Sequence, residues 1–142
     1  MKIAICGSMA FAQEMLDVKV SLERNSHKVI LPEGAEEYAK GKLKKIASKR
    51  GSLEGAKRKI NSNLIKKHYY KIQESDVILV INKEKNGIKN YIGGNSFLEM
   101  GFAYILNKKI YVLNQLPKNL LFYQELVAMK PIVLNGHLDA IK

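Results

Sequence analysis

The apolar residues of this chain fall into short continuous runs that predict buried strands. Each run is rich in β-branched residues and lacks the alternation of apolar and polar positions that half-exposed antiparallel strands show. Continuous runs of this kind are typical of a parallel sheet that is covered on both faces. Four strong runs and a weaker last one are predicted as strands: Lys2 to Cys6, Lys28 to Leu31, Val77 to Ile81, Ile110 to Leu113 and Ile132 to Leu134.

Between these runs the apolar spacing changes to the period of amphipathic helices. Helices are predicted over Phe11 to Asn25, Glu36 to Lys49, Leu53 to Glu74, Ser96 to Asn107 and Leu120 to Met129. The first of them has an apolar face made of Met15, Leu16, Val18, Val20 and Leu22. Alternation of strands and helices with short joints predicts right-handed βαβ units. The expected fold is therefore a doubly wound α/β domain of the flavodoxin or Rossmann-like kind, with five parallel strands in the order 2-1-3-4-5 and helices on both faces.

Length and composition agree with one globular domain over residues 1–142. The chain is 46% hydrophobic and 26% charged, which is too apolar for intrinsic disorder. Its only cysteine, Cys6, lies in the first apolar run, so neither a disulfide nor a cysteine-based metal site is expected. We expect no metal, no cofactor and, from the missing signal and membrane segments, a cytoplasmic protein without a membrane partner.

The charge is strongly positive and unevenly distributed. The chain carries 24 Lys and Arg against 13 Asp and Glu, a net charge of +11, and twelve of the cations lie between Lys40 and Lys71. Such a stretch attracts phosphate groups on a nucleotide, an RNA or a membrane surface, although a solvated lysine-rich surface has the same composition. A nucleic-acid partner stays open on this basis, but the basic stretch lacks the aromatic platform of single-strand binders.

The strand order predicts where a ligand binds. In an open parallel sheet the site lies beyond the carboxyl ends of the strands where their order reverses, which here falls between the first and third strands. Its walls are the turn from Cys6 to Phe11 and the loop from Asn82 to Ser96. Gly7 and Ser8 precede a helix and can face an anion, or they form only a tight turn. The candidate substrate-binding residues are Gly7, Ser8, Met9, Phe11, Asn82, Tyr91, Gly93, Gly94, Asn95, Ser96 and Asn114.

The segment from Gly93 to Glu99 has two interpretations. The two glycines allow a ligand to approach the backbone closely, and Asn95 and Ser96 can cap a helix that carries Glu99 in its first turn. A purely structural alternative is the capping box S-x-x-E, in which Glu99 turns back to the backbone N–H of Ser96. The spacing alone leaves both open.

The same segment carries a family resemblance. The run from Gly93 to Tyr104, GGNSFLEMGFAY, followed by Asn107, Lys108, Lys109 and Ile110, resembles the G-T-A-x-E-x-G-x-A-x-x-x-x-K signature of the nucleoside 2-deoxyribosyltransferase superfamily. The start, Cys6-Gly7-Ser8, is similar to the phosphate-side turn of the 2'-deoxynucleoside 5'-phosphate N-hydrolase branch. A shorter similarity links the glycine loop to the P-G-G-x-G-T-x-x-E motif of lysine-decarboxylase-like phosphoribohydrolases, which also split N-glycosidic bonds.

The resemblance implies a function and a set of roles. Glu99 is implied as the nucleophile that attacks the anomeric carbon, in N-glycosidic bond cleavage or deoxyribosyl transfer on a nucleoside or nucleoside 5'-monophosphate. A homodimer or larger homo-oligomer is implied as well, with the helix that contains Phe122, Tyr123, Glu125 and Met129 either completing a neighbour's site or packing into the core.

The sequence also departs from the family pattern. Where members place an Asp about eight residues before the acidic start of the third strand, this chain has His68, which can hold or protonate the leaving base or be a partly packed surface residue. Gly93 stands near the place of a further acidic residue. These departures keep a second function open, a non-catalytic module that binds or senses nucleotides.

Overall fold

A computed structural model describes residues 1–41, 53, 56–57, 60 and 63–142, and the structural statements below concern these residues. Their strands form one parallel five-stranded sheet with the order β2-β1-β3-β4-β5, which confirms the predicted topology. Each strand lies within one residue of the predicted bounds. The strands are β1 (Lys2–Gly7), β2 (Lys28–Ile30), β3 (Val77–Ile81), β4 (Lys109–Val112) and β5 (Ile132–Val133).

The bounds of the helices agree with the prediction less closely than those of the strands do. Those in the described part of the chain are α1 (Ala12–Arg24), α2 (Ala35–Ala39), α3 (Leu64–Gln73), α4 (Gly94–Ile105) and α5 (Tyr123–Ala128), with short 3-10 helices at Met9–Phe11 and Leu138–Ala140. The helix predicted from Glu36 ends early, because Lys40 terminates α2 and Gly41 has a φ of +72°. Most of the predicted basic stretch beyond it lies outside the described residues.

The two faces of the sheet bury different sets of side chains. On one face Ile3, Ile5 and Leu79 pack against α1, which contributes Met15, Val18 and Leu22. Val20 was predicted on this face but is 48% exposed, because it lies five positions after Met15 and so points away from the i, i+3, i+7 stripe. The opposite face pairs Ala4, Cys6, Ile78 and Val80 with side chains of α3, α4 and α5, namely Ile72, Met100, Ala103 and Leu126.

The register brings the ends of the central strands together. Cys6 pairs with Val80 and Gly7 pairs with Ile81, so β1 and β3 finish side by side at the point where the strand order reverses. A Cβ atom on Gly7 would lie 3.0 Å from the carbonyl oxygen of Ile81, which explains why glycine is needed at this close approach. None of the described helices combines the length and apolarity that crossing a membrane requires.

Candidate active site

A cleft opens beyond the carboxyl ends of β1 and β3, on the face covered by α3 and α4. Its volume is about 120 Å³, and a smaller hollow of about 60 Å³ continues it along Leu64, Asn95 and Glu99. The position agrees with the predicted switch point of the sheet. The cleft is lined by Gly7, Met9, Pro32, Glu33, Leu64, Lys67, His68, Lys71, Asn95 and Glu99.

Glu99 reaches the cleft from the second turn of α4. Its side chain is 18% exposed, and its Oε2 atom lies 3.5 Å from Nε2 of His68 on α3. The two helices are held together nearby by an edge-to-face contact of Tyr69 with Phe102, whose ring centroids are 5.3 Å apart. The carboxylate is thus partly withdrawn from water and remains open to a ligand in the cleft.

The expectation about the start of α4 was wrong. The helix begins at Gly94, with Gly93 as its N-cap and no side-chain capping bond, so Ser96 is the third helical residue and is buried. Glu99 is the sixth helical residue and lies beyond the first turn. The capping box is therefore absent, and the helix N-terminus is further from this carboxylate than the sequence suggested.

His68 is buried at the base of the cleft. Burial, and secondarily the nearby Lys71 ammonium, lowers the pKa of His68 to about 4. The imidazole is therefore neutral at pH 7. Its approach to Glu99 is a contact between a neutral ring and a carboxylate, not an ion pair.

Cys6 completes this group of side chains, although sequence reasoning assigned it to the core alone. Its Sγ atom lies 3.4 Å from Nε2 of His68. Complete burial, followed by the charge and hydrogen bonding of Glu99, raises the pKa of the Cys6 thiol well above its usual value. The thiol is thus protonated at neutral pH. The three side chains come from β1, α3 and α4, and no local sequence spacing could have shown that they meet.

The turn after β1 contacts the loop after β3. The Ser8 hydroxyl accepts a hydrogen bond from the backbone N–H of Ala10 at 3.3 Å and another from Nζ of Lys85 at 2.9 Å. The Lys85 ammonium also lies 5.0 Å from the centroid of the Tyr91 ring, which packs against the core. Asn86 and Gly87, in the turn of this loop, both have positive φ. A cation and a hydroxyl therefore stand together beside the cleft.

Asn82 and Asn114 hydrogen-bond to each other's strand ends. Oδ1 of Asn82 accepts from the backbone N–H of Asn114 at 2.8 Å, and Nδ2 of Asn114 donates to the carbonyl of Asn82 at 2.9 Å. Asn82 is fully buried and also donates to the carbonyls of Asn114 and Gln115. These bonds join the ends of β3 and β4, and a role in binding substrate stays a prediction.

Only some of the predicted site residues line the cleft. Gly7, Met9, His68, Asn95 and Glu99 line the cleft together. Phe11 and Ser96 are buried, while Ser8 and Tyr91 belong to the neighbouring loop contact and Gly94 borders an apolar groove between α4 and α5. The residues that sequence reasoning missed are Pro32, Glu33, Leu64, Lys67 and Lys71. The helical spacing of Leu64, His68 and Lys71 was a usable signal, since i, i+4 and i+7 share one face.

Comparisons with known proteins complete the description of the site. No protein-family model matches the chain, and no curated protein matches it. Among solved structures it is similar to a 2-deoxyribosyltransferase from the psychrotolerant bacterium Bacillus psychrosaccharolyticus, described as a suitable biocatalyst for the industrial synthesis of antiviral and antitumoral nucleosides. The identity is 18% and the TM-score 0.48, over 80% of this chain and 72% of that one.

Proposed function

We propose that this protein is an enzyme that cleaves the N-glycosidic bond of a nucleoside or nucleoside 5'-monophosphate, with Glu99 as the nucleophile. The observation that carries the proposal is the Glu99 carboxylate, partly buried in a cleft at the switch point of the sheet. It belongs to the segment that resembles the signature of the nucleoside 2-deoxyribosyltransferase superfamily. The 2'-deoxynucleoside 5'-phosphate N-hydrolase branch is the specific relation that we propose.

The proposed chemistry uses two displacements. A Glu99 oxygen forms a bond to the anomeric carbon while the carbon–nitrogen bond breaks and its electron pair leaves with the base, which takes a proton from water. The resulting glycosyl ester is then attacked by water, giving hydrolysis, or by a second base, giving transfer. His68 is proposed as a positioning residue for Glu99, because a pKa of about 4 leaves it without the imidazolium proton that a general acid gives at neutral pH.

The charges around the cleft support a phosphorylated substrate. Lys67 and Lys71 line the cleft together with Glu33 and Glu99, and Lys67 pairs with Glu33 at 3.3 Å. Lys85, which donates to Ser8 at the edge of the cleft, adds a further positive charge beside it. Lysine ammonium groups close to a sugar-sized cleft favour a 5'-phosphate through Coulomb attraction. We therefore expect a nucleoside 5'-monophosphate to be processed with a lower KM than the matching nucleoside.

The test is release of free base from a panel of ribonucleosides, deoxyribonucleosides and their 5'-monophosphates, followed by chromatography. Glu99→Gln keeps the shape of the side chain and removes the nucleophile, so kcat should fall by roughly 1,000-fold or more. The matched control is Glu74→Gln, an exposed glutamate whose ion pair with Lys2 lies at the opposite end of the sheet. Equal base release by the wild type and Glu99→Gln would overturn the proposal.

A non-catalytic nucleotide-binding module is the alternative, and one observation favours it. His68 stands where the family pattern has an Asp, and both His68 and Cys6 engage the Glu99 carboxylate. Under this alternative, calorimetry detects nucleotide binding by wild type and Glu99→Gln alike, while no base is released by either.

We further propose that the protein acts as a homo-oligomer. The apolar groove between α4 and α5 includes Phe97, Leu98 and Ile105, and the Ile105 side chain is 77% exposed. Phe122 stacks on Phe97 at 4.4 Å, so it takes part in packing within the chain. Light scattering of the wild type should give a multiple of the monomer mass, and Ile105→Lys should lower it. A monomeric wild type would contradict this assembly.

A further inference from the structure

The side chains of Cys6, His68 and Glu99 converge on one point, where Cys6 hydrogen-bonds to Glu99 and the ring of His68 lies beside both. Nε2 of His68 has Sγ of Cys6 at 3.4 Å and Oε2 of Glu99 at 3.5 Å. A neutral imidazole nitrogen carries either one proton or one lone pair, so it serves only one neighbour well. The nitrogen–oxygen distance is also long for a hydrogen bond, which prefers about 2.7–3.2 Å.

Two of the three separations in this group match the edges of a tetrahedral metal site. One thiol sulfur, one imidazole nitrogen and one carboxylate oxygen lie within 4.8 Å of one another. With zinc bonds of about 2.3 Å to sulfur and about 2.0–2.2 Å to nitrogen and oxygen, tetrahedral angles place S···N about 3.6 Å and N···O about 3.4 Å apart. The 3.4 Å and 3.5 Å separations lie within about 0.2 Å of these edges, and the third separation, from sulfur to oxygen, is at most 4.8 Å.

The ligand types and the surroundings restrict the metal. A thiolate and an imidazole favour borderline divalent ions such as Zn²⁺ over Mg²⁺ or Ca²⁺, which prefer all-oxygen sites. His68 and Glu99 both line the cleft of about 120 Å³. A fourth coordination position can therefore face the cleft, the arrangement of three protein ligands plus an open position that differs from a closed structural site.

We propose that Cys6, His68 and Glu99 bind one Zn²⁺ or a similar borderline divalent cation, and that the bound ion blocks glycosidic cleavage by occupying the Glu99 carboxylate. On binding, the sulfur–metal bond forms and the Cys6 proton passes to solvent. The inhibitory part rests on the proposed function, while the metal site itself does not. The sequence expectation of no metal site assumed that cysteine ligands come in pairs, whereas this site draws one ligand from each of three distant elements.

The test of the metal site is a titration of the full-length, chelator-treated protein with Co²⁺, a spectroscopic substitute for zinc. The expected result is saturation at one equivalent with a near-ultraviolet thiolate-to-cobalt charge-transfer band, which added Zn²⁺ removes. Cys6→Ala should abolish the band, and His68→Gln should weaken Co²⁺ binding by roughly 100-fold or more. The matched control, His137→Gln, changes an exposed histidine and should leave the titration unaltered.

Two results would overturn the site: wild type without a charge-transfer band, or folded Cys6→Ala and His68→Gln variants that bind Co²⁺ as tightly as wild type. Circular dichroism identifies any variant that does not fold, and the remaining variants then decide.

Inhibition is measured separately, as base release in chelator and with one equivalent of Zn²⁺. A fall of at least tenfold in wild type that Cys6→Ala prevents supports it, and undiminished base release with zinc bound contradicts it. The cobalt titration still decides the metal site if no nucleotide is cleaved.

Discussion

The two faces of the sheet are built from the same five strands but bury different chemistry. On the α1 face the core contacts are made by side chains such as Ile3, Ile5 and Leu22. On the opposite face β1 contributes Ala4 and Cys6. Cys6 contacts His68 of α3, which in turn lies beside Glu99 of α4. One strand thus supplies a hydrocarbon core through Ile5 and a polar cluster through the next residue.

The comparison teaches how a small domain separates stability from chemistry. Buried apolar groups stabilise the fold in proportion to the area removed from water, whereas a buried imidazole and carboxylate oppose folding unless they are well satisfied. Both faces should therefore stabilise the fold through their buried apolar side chains, and only the face opposite α1 adds a buried polar cluster. The face that carries Cys6, His68 and Glu99, called the polar face below, should dominate the pH dependence of stability, ligand binding and activity.

The largest expected change in the free energy of unfolding is that caused by Ile5→Ala on the α1 face. Ile5 is fully buried against α1, so the free energy of unfolding should fall by about 2–5 kcal/mol from lost burial and a residual cavity. Urea unfolding followed by circular dichroism measures the change. Activity per folded molecule should stay within a few-fold of wild type. A specific loss of activity in fully folded Ile5→Ala would break the division between the faces.

His68 should give the polar face a pH dependence that the α1 face lacks. Its pKa is about 4 in the folded protein against 6.5 for the free side chain, so below pH 6.5 the unfolded chain binds the extra proton. The contribution of His68 to the free energy of unfolding is therefore complete above pH 6.5. It is lost as the pH falls towards 4, by about 3 kcal/mol in total.

The check on His68 is urea unfolding of metal-free protein between pH 7 and pH 4. The stability of His68→Asn should fall less steeply with acid than that of wild type, while His137→Asn, which changes an exposed histidine, should follow wild type. Parallel curves for wild type and His68→Asn would contradict a buried neutral imidazole.

The smallest expected effect on stability is that of Cys6→Ala, one residue from Ile5 on the other face. The substitution removes a single sulfur atom, so the free energy of unfolding should fall by about 1 kcal/mol. Measured beside Ile5→Ala in the same urea series, it compares the loss of one sulfur atom on one face with the loss of three carbon atoms on the other. A loss as large as that of Ile5→Ala would show that the Cys6 sulfur stabilises the fold by more than its buried area, through its contacts with His68 and Glu99.

The sheet was predictable because its signal is local. The run from Val77 to Ile81 is short, rich in β-branched residues and apolar at every position, which favours a strand buried on both faces, and the prediction matched its bounds. The start of α4 was missed since Asn95 and Ser96 are good capping residues, yet the helix begins at Gly94, before either can cap it. Local preference was overridden by the position that packing gives the helix.

The candidate site was predictable only in part for a related reason. Gly7 and Glu99 follow from strand order and from a motif, both of which are readable along the chain. The meeting of Cys6 with His68 depends on contacts 62 residues apart and on the rotation of α3 over the sheet. The depressed pKa of His68 depends on that burial as well, so no pattern of neighbouring residues indicates it.

The most direct measurement of the central claim is covalent trapping of the nucleophile. A nucleoside 5'-monophosphate with fluorine at the 2'-arabino position, incubated with chelator-treated protein, should accumulate as a glycosyl-enzyme, because fluorine slows the oxocarbenium-like step that hydrolyses it. Mass spectrometry should find one fluorinated sugar phosphate on the peptide that contains Glu99, and none on Glu99→Gln. The account would be contradicted by base release without an adduct or by an adduct on another residue. It would also be contradicted if fluorinated analogues of all the common bases gave neither base release nor an adduct.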